Sequence, residues 1–239
     1  TRKKAADNLK ALGIEGLVVI GGDGSFTGAK FLSDENGINV VGIPGTIDND
    51  LAYTDYTLGF DTAVNTVLWA INNLRDTMTS HDRVSLVKVM GRRCGDIALY
   101  SGICGGAEYI LVPEIPYDIQ AIAEDIKKSK EKGKTSNIIV LAEGAGNEQE
   151  IKTIVSVISG ADVKVTTLGH IQRGGTPTMA DRMLAARFGS RATELLQAGK
   201  TNRVIGIKNN KIVDLDITEA LSETKQINKK LYEMANKLC

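Results

Sequence analysis

The sequence predicts an α/β fold built on doubly wound, mostly parallel sheets, and three observations lead there. Short apolar runs, among them Leu17–Ile20, Val40–Ile43, Val84–Val89 and Ile138–Ala142, read as buried strands. Segments with one apolar face at helical spacing lie between them. Turns rich in glycine and charge then follow the strands: Gly21-Gly22-Asp23-Gly24-Ser25, Gly45-Thr46-Ile47-Asp48-Asn49-Asp50, Met90-Gly91-Arg92-Arg93-Cys94-Gly95-Asp96, Glu143-Gly144-Ala145-Gly146 and Gly169-His170-Ile171-Gln172-Arg173-Gly174-Gly175. In open α/β sheets ligands bind at the carboxyl ends of the strands, so these turns are the candidate functional positions.

Composition narrows the class. The 239 residues suffice for one large or two small domains. The 29 basic and 29 acidic residues cancel, so no bulk field favours nucleic acid or an anionic membrane, and neither is expected as a partner. The sequence shows no apolar run of membrane-spanning length and no signal peptide. Cys94, Cys104 and Cys239 are odd in number and irregularly spaced, which suggests neither a disulfide frame nor a zinc site and makes a reducing cytoplasm the expected location. The chain opens at Thr1 inside a helical pattern, and further residues are expected before it.

From the N-terminus, Lys3–Leu12 forms a helix with Ala5, Leu9 and Leu12 on one face and Gly13 as its cap. The strand Gly16–Ile20 leads into the first glycine turn, with a helix opening near Phe26. Strand, glycine turn and helix start form a phosphate-binding geometry, in which glycines let backbone N–H groups approach and the helix N-terminus favours negative charge. Asp23 suits Mg²⁺ there, while an ordinary crossover also favours Gly and Ser. The spacing matches neither a Walker loop nor a dinucleotide fingerprint. After a helix over Ala29–Ser33, the strand Val40–Pro44 ends in the Asp48-Asn49-Asp50 turn, whose two carboxylates suit a base and a positioning group.

Leu51–Phe60 reads as a polar loop, with Asp61 capping a helix whose inner face is Ala63, Val67, Ala70 and Leu74. Trp69 is assigned to packing. Arg75–Arg83, with His81, reads as a connecting loop whose default is a solvated surface. An arginine in the Met90–Gly95 turn can clamp phosphate bidentately, and Asp96 is read as the next helix cap. Strands Tyr109–Val112, Asn137–Ala142 and Val163–Leu168 alternate with helices opening at Asp118 and over Ile151–Ile158. Lys132 and Lys134 suit a helix C-terminus. His170 and Arg173, three apart among glycines, suit an anion. Helix Met179–Leu196, a hairpin around Asn209-Asn210 and a last helix with Ile227, Leu231, Met234 and Leu238 complete the chain.

Read together, GGDGS, PGTIDND, MGRRCGD, AEGAG and GHIQRGGTP, in this order and spacing, resemble the bacterial ATP-dependent phosphofructokinase family, from the first helix to the C-terminus. NAD kinases and diacylglycerol kinases share a GGDG turn but not PGTIDND or GHIQRGG. The resemblance implies transfer of the γ-phosphoryl of ATP to the 1-hydroxyl of fructose 6-phosphate, giving fructose 1,6-bisphosphate in glycolysis. It implies Asp48 as general base, with Thr46 and Arg92 stabilising the transferring group. It implies Gly22, Asp23, Gly24, Ser25 and Gly28 at the ATP phosphates, and Mg²⁺ on Asp23 and Asp50. Fructose 6-phosphate would be held by Thr46, Asp48, Asp50, Met90, Gly91, Arg92, Glu143, His170 and Arg173, with Arg83 and Lys164 reaching the 6-phosphate from a neighbouring subunit. Arg75, Glu108, Lys132 and Lys134 would form an allosteric site for ADP or phosphoenolpyruvate in a homotetramer.

The resemblance further implies two interwoven domains: 1–59 with 172–222 for ATP, and 60–171 with 223–239 for fructose 6-phosphate. Pyrophosphate-dependent relatives carry Asp at the position of Gly24 and Lys at that of Gly45, where side chains would fill space the α-phosphate needs; the two glycines point to ATP. Lys164 stands where the family has an arginine, keeping the charge but losing the planar fork, so weaker sugar-phosphate binding is expected. The family's first quarter, roughly 80 positions of a two-domain plan, is not matched, so the chain alone is expected to be inactive and to leave one sheet flank exposed. The competing readings are a pyrophosphate-dependent enzyme and a non-catalytic regulatory subunit or inactive fragment.

Overall fold

The computed structural model describes residues 2–78, 83–134 and 136–238; His81 and Cys239 lie outside them. The chain forms two compact units, Thr1–Asp61 with Pro177–Lys225, and Thr62–Thr176 with Gln226–Cys239.

In the first unit, parallel strands β1 (Gly16–Gly21), β2 (Asn39–Pro44) and β7 (Arg203–Lys208) are joined by antiparallel β8 (Lys211–Asp216), in the order β1-β2-β7-β8. Gly21 pairs with Pro44, so the glycine turn and the Gly45–Asp50 turn leave neighbouring strand ends. One face is covered by α1 (Arg2–Ala11), α2 (Asp23–Asn36) and α8 (Ile217–Ala220) through Ala6, Phe26, Ala29, Leu32 and Ile217, packed on Val40 and Val204. On the other, α7 (Met179–Gln197) sets Leu184, Phe188, Ala192 and Leu195 against Val41, Ile43, Ile205 and Ile207. Helices on both faces make the sheet doubly wound. β7 and β8 meet in a two-residue hairpin where Asn209 and Asn210 have φ of 49° and 61°. Both central residues left-handed is the type I′ turn, whose twist matches the strands and which asparagine tolerates. β1 is the sheet's edge, and its Ile20 is 66% exposed.

The second unit has four parallel strands, β3 (Arg83–Val89), β4 (Tyr109–Leu111), β5 (Ser136–Ala142) and β6 (Asp162–Thr167), in the order β4-β5-β3-β6. Helices α5 (Ile119–Glu131) and α6 (Glu148–Ser159) cover one face with Ala123, Ile126, Ile151 and Val155 on Leu86, Leu111, Ile139 and Leu141. Across the sheet, α4 (Asp96–Gly105) brings Gly102 against Ile110 and Gly105 against Ile71 of α3 (Phe60–Met78). A 3₁₀ turn occupies Gly169–Arg173, and α9 (Lys229–Leu238) ends the chain with Ala235 buried.

Several local expectations shift. α2 begins at Asp23, so Gly24 and Ser25 sit in its first turn rather than in a loop. Asp61 and Asp96 lie inside the first turns of α3 and α4, not at the caps. Negative charge is favoured throughout that turn, and the cap of α4 is Gly95. Asp118 does cap α5, accepting the N–H groups of Gln120 and Ala121. α3 continues to Met78, which places Arg75 on a helix and not in a loop. The buried face of α1 is Ala6, leaving Ala5 and Leu12 exposed. Trp69 is 65% exposed, because it lies about 200° around the helix from buried Val67.

Candidate active site

The first unit brings the glycine turn and the TIDND turn together. Gly45 N–H donates to Gly21 C=O at 2.9 Å, and a Cβ on Gly22 would stand 3.9 Å from Thr46 Cβ. Gly22 is the N-cap of α2 and supplies no side chain to the first-turn N–H groups. Asp23 Oδ1 accepts the Gly24 N–H at 2.7 Å. A helix N-terminus opened by glycines at the end of a parallel strand is suited to phosphate. A Cβ on Gly24 or Gly28 would meet nothing within 4 Å, whereas one on Gly45 would stand 2.7 Å from Ile20 Cγ2.

In the TIDND turn Asp48 is buried at 7% exposure, while Thr46 and Asp50 are half-buried. Asp48 N–H donates to Thr46 Oγ1 at 3.2 Å. Asn49, fully enclosed, takes a left-handed φ of 52° and donates from Nδ2 to Asp55 C=O at 3.1 Å. Thr57 Oγ1 donates to Thr46 C=O at 2.6 Å, Leu58 N–H to Pro44 C=O at 2.8 Å, and Gly59 N–H to Asp181 Oδ1 at 2.9 Å. A non-glycine residue held left-handed stores local strain, and these bonds hold it in place. Thr57 and Asp181 escaped the sequence reading, and Asn49 was placed in the turn without a role, though an asparagine in a tight turn is itself a signal of left-handed backbone.

The second unit assembles its loops around β3. The turn after β5 lies on one side: Glu143 N–H donates to Val89 C=O at 2.9 Å, and Glu143 Oε1 accepts the Arg92 N–H at 2.7 Å. The 3₁₀ turn after β6 lies on the other: Leu168 N–H donates to Lys88 C=O at 3.1 Å, and Gln172 Oε1 accepts the Met90 N–H at 3.2 Å. From the end of β4, Glu114 Oε1 accepts the Gly95 N–H at 2.8 Å. Burial pushes the Glu114 carboxyl above its usual value, and neighbouring Asp96 adds to this while the Gly95 bond pulls it back. Arg92 is exposed with a left-handed φ of 53°, and Gly91 has φ 130° beside Cys94 C=O. Met90 is buried; His170 and Arg173 are exposed. Glu114 and Gln172 were missed because their roles appear only once the strand order is known.

Arg83 and Lys164, on adjacent strands, both grip Asp162, at 3.1 Å and 3.2 Å. The Lys164 hydrogen bond, with Arg83 beside it, holds the Asp162 carboxyl below the usual range. Elsewhere in this unit, Glu108 Oε1 pairs with Lys134 at 3.0 Å, and its Oε2 accepts the Ile138 N–H at 2.7 Å. These two side chains and Gly106 line a cavity of about 140 Å³, and Arg75 donates to Gly106 C=O at 2.9 Å. Lys132 is exposed at the C-cap of α5, outside that lining.

Among the described residues no group of three or more His, Cys, Asp or Glu is arranged to hold a metal by itself. A Mg²⁺ ion here would need phosphate oxygens and water to complete its shell beside one or two carboxylates, which is how Mg²⁺ commonly binds.

A family profile for phosphofructokinase matches residues 1–196. The chain is 60% identical over 237 residues to the ATP-dependent 6-phosphofructokinase of Clostridium tetani, covering 99% of this chain and 74% of that protein. It is 59% identical over 235 residues to the ATP-dependent 6-phosphofructokinase 1 of Clostridium perfringens, covering 98% and 73%. The structure of phosphofructokinase from Saccharomyces cerevisiae matches with a TM-score of 0.86 at 32% identity, over 99% of this chain and 35% of that one. A pyrophosphate-dependent phosphofructokinase from Marinobacter aquaeolei matches at 0.83 with 23% identity, over 96% and 65%, and shares the fold. With strand-end turns of this make-up and relatives this similar, the chain belongs to the phosphofructokinase family.

Proposed function

We propose that this chain is the ATP-dependent 6-phosphofructokinase its bacterial relatives are named for, phosphorylating the 1-hydroxyl of fructose 6-phosphate. The observation that carries the reading is Asp48, a buried carboxylate in a turn braced by Thr46, Asn49 and Thr57 beside the glycine-opened N-terminus of α2. Phosphoryl transfer asks the protein for positioning and charge neutralisation more than for covalent help. Asp48 takes the proton of the attacking hydroxyl as the oxygen–phosphorus bond to the sugar forms and the bond from the γ-phosphorus to the leaving ADP breaks. Backbone N–H groups at Gly22–Ser25 hold the nucleotide phosphates, and Thr46 and Arg92 meet the charge on the transferring group. Mg²⁺, held by Asp23 and Asp50, supplies further charge neutralisation when bound. The open space at Gly24 favours ATP over pyrophosphate as donor.

The sugar phosphate is gripped by Met90, Gly91, Arg92, Glu143, His170 and Arg173, with Arg83 and Lys164 of a neighbouring subunit on the 6-phosphate. Their shared hold on Asp162 supports that role, since it already gathers two cations at one anion. Arg75, Glu108, Lys132 and Lys134 take an effector such as ADP or phosphoenolpyruvate in a cytoplasmic homotetramer; the cavity beside Glu108 and Lys134 supports this. Replacing Asp48 by Ser tests the central claim. Turnover should fall by roughly 10²–10⁴-fold with little change in the KM of either substrate. A folded Asp48→Ser enzyme working at the parent rate would sink it.

A further inference from the structure

Gln172 is 1% exposed, between Ile171 and Arg173, which are both exposed. A buried amide is costly unless its groups are paired. Here both ends are used: Oε1 accepts the Met90 N–H at 3.2 Å, and Nε2 donates to Gly169 C=O at 3.0 Å. The regular pairing of β3 with β6 stops at Lys88 and Thr167. Gln172 thus carries the ladder beyond the strands with a side chain, at the point where the Met90–Gly95 loop departs. That loop contains the left-handed Arg92, a conformation that persists only where surrounding bonds hold it.

We infer that Gln172 is a positioning residue that locks the Met90–Arg92 loop to the His170–Arg173 turn, so that sugar-phosphate contacts on both are held in one geometry. The inference rests on the kinase reading above. The neutral amide supplies the acceptor for Met90 and the donor for Gly169 on one planar group, at any pH at which the protein is folded. Glutamate sets a carboxylate oxygen against Gly169 C=O, and methionine leaves both backbone groups unpaired.

The test uses the full-length protein with Gln172→Met, and Gln172→Glu as the second variant should the first not fold. Hydrogen exchange at the Met90 amide should quicken by roughly tenfold, the size expected for one lost hydrogen bond. The kcat/KM for fructose 6-phosphate should fall by about tenfold or more while the KM for ATP stays within about twofold. Unchanged exchange at Met90 with parental fructose 6-phosphate kinetics, in either folded variant, overturns the inference. So does an equal rise in the KM of both substrates, which marks general destabilisation. Exchange needs no turnover, so a parent protein without kinase activity would sink the functional reading while the exchange result still decides the lock.

Discussion

Replacing Gly144 by Ala probes how tightly the arginine loop is seated. Gly144 follows β5, next to Glu143, whose carboxylate holds the Arg92 N–H. A Cβ on Gly144 would collide with the carbonyl oxygen of Arg92 and lie 3.3 Å from its carbonyl carbon. The obstacle is backbone, so no side chain can swing away to make room. The two loops must part by about 1 Å, and misplacement on that scale can cost on the order of 10²-fold in rate. The Glu143–Arg92 hydrogen bond lengthens in the same movement, which adds to the loss of preorganised charge. A coupled assay of the full-length protein with fructose 6-phosphate and ATP should show kcat/KM for the sugar phosphate lowered by about that factor. The KM for ATP should move by no more than about twofold, because the contact lies wholly among the loops of the second unit. A folded Gly144→Ala protein with parental kcat/KM would refute the reasoning, showing that the position of the Arg92 backbone does not matter.

Two further outcomes follow from packing and charge. A Cβ on Gly42 would stand 2.7 Å from Phe26 ring carbons and 2.8 Å from Val204 Cγ1, in a core where both neighbours are fully buried. Gly42→Ala should therefore destabilise the protein by about 1–3 kcal/mol as overpacking, read by urea unfolding; an unchanged midpoint contradicts this. Glu114 tests pH dependence. A carboxyl raised in the folded state contributes stability below its unfolded pKa and loses that contribution as pH rises through the folded value. Glu114→Gln keeps an acceptor for the Gly95 N–H and cannot ionise, so its Tm relative to the parent should be higher at about pH 7 than at about pH 4. A difference in Tm that is flat with pH would show that Glu114 carries no such burden.

The sequence by itself determined where the strand-end turns lie, because an apolar run followed by glycine and charge is a local signal. It determined the Asn209-Asn210 hairpin for the same kind of reason: two adjacent residues tolerant of left-handed backbone select that turn. The order of five motifs likewise identified the family, with the matching profile and the bacterial relatives in agreement. Local signals failed where two physical causes share one residue type. Asp61 and Asp96, read as caps, lie within first turns, since the helix dipole favours carboxylates there as well as at the cap.

Tertiary structure alone decided which distant turns meet. Placing β3 between β5 and β6 sets Glu143 against Arg92 across 51 residues and Gln172 against Met90 across 82. Nothing local in the chain encodes that strand order, which appears only in the assembled sheet with the apolar faces of α5 and α6 buried together on one side. The left-handed backbone of Arg92 was settled in the same way, by the Glu143 carboxylate 51 residues along the chain, whereas Asn49 is held within its own loop by its bond to Asp55.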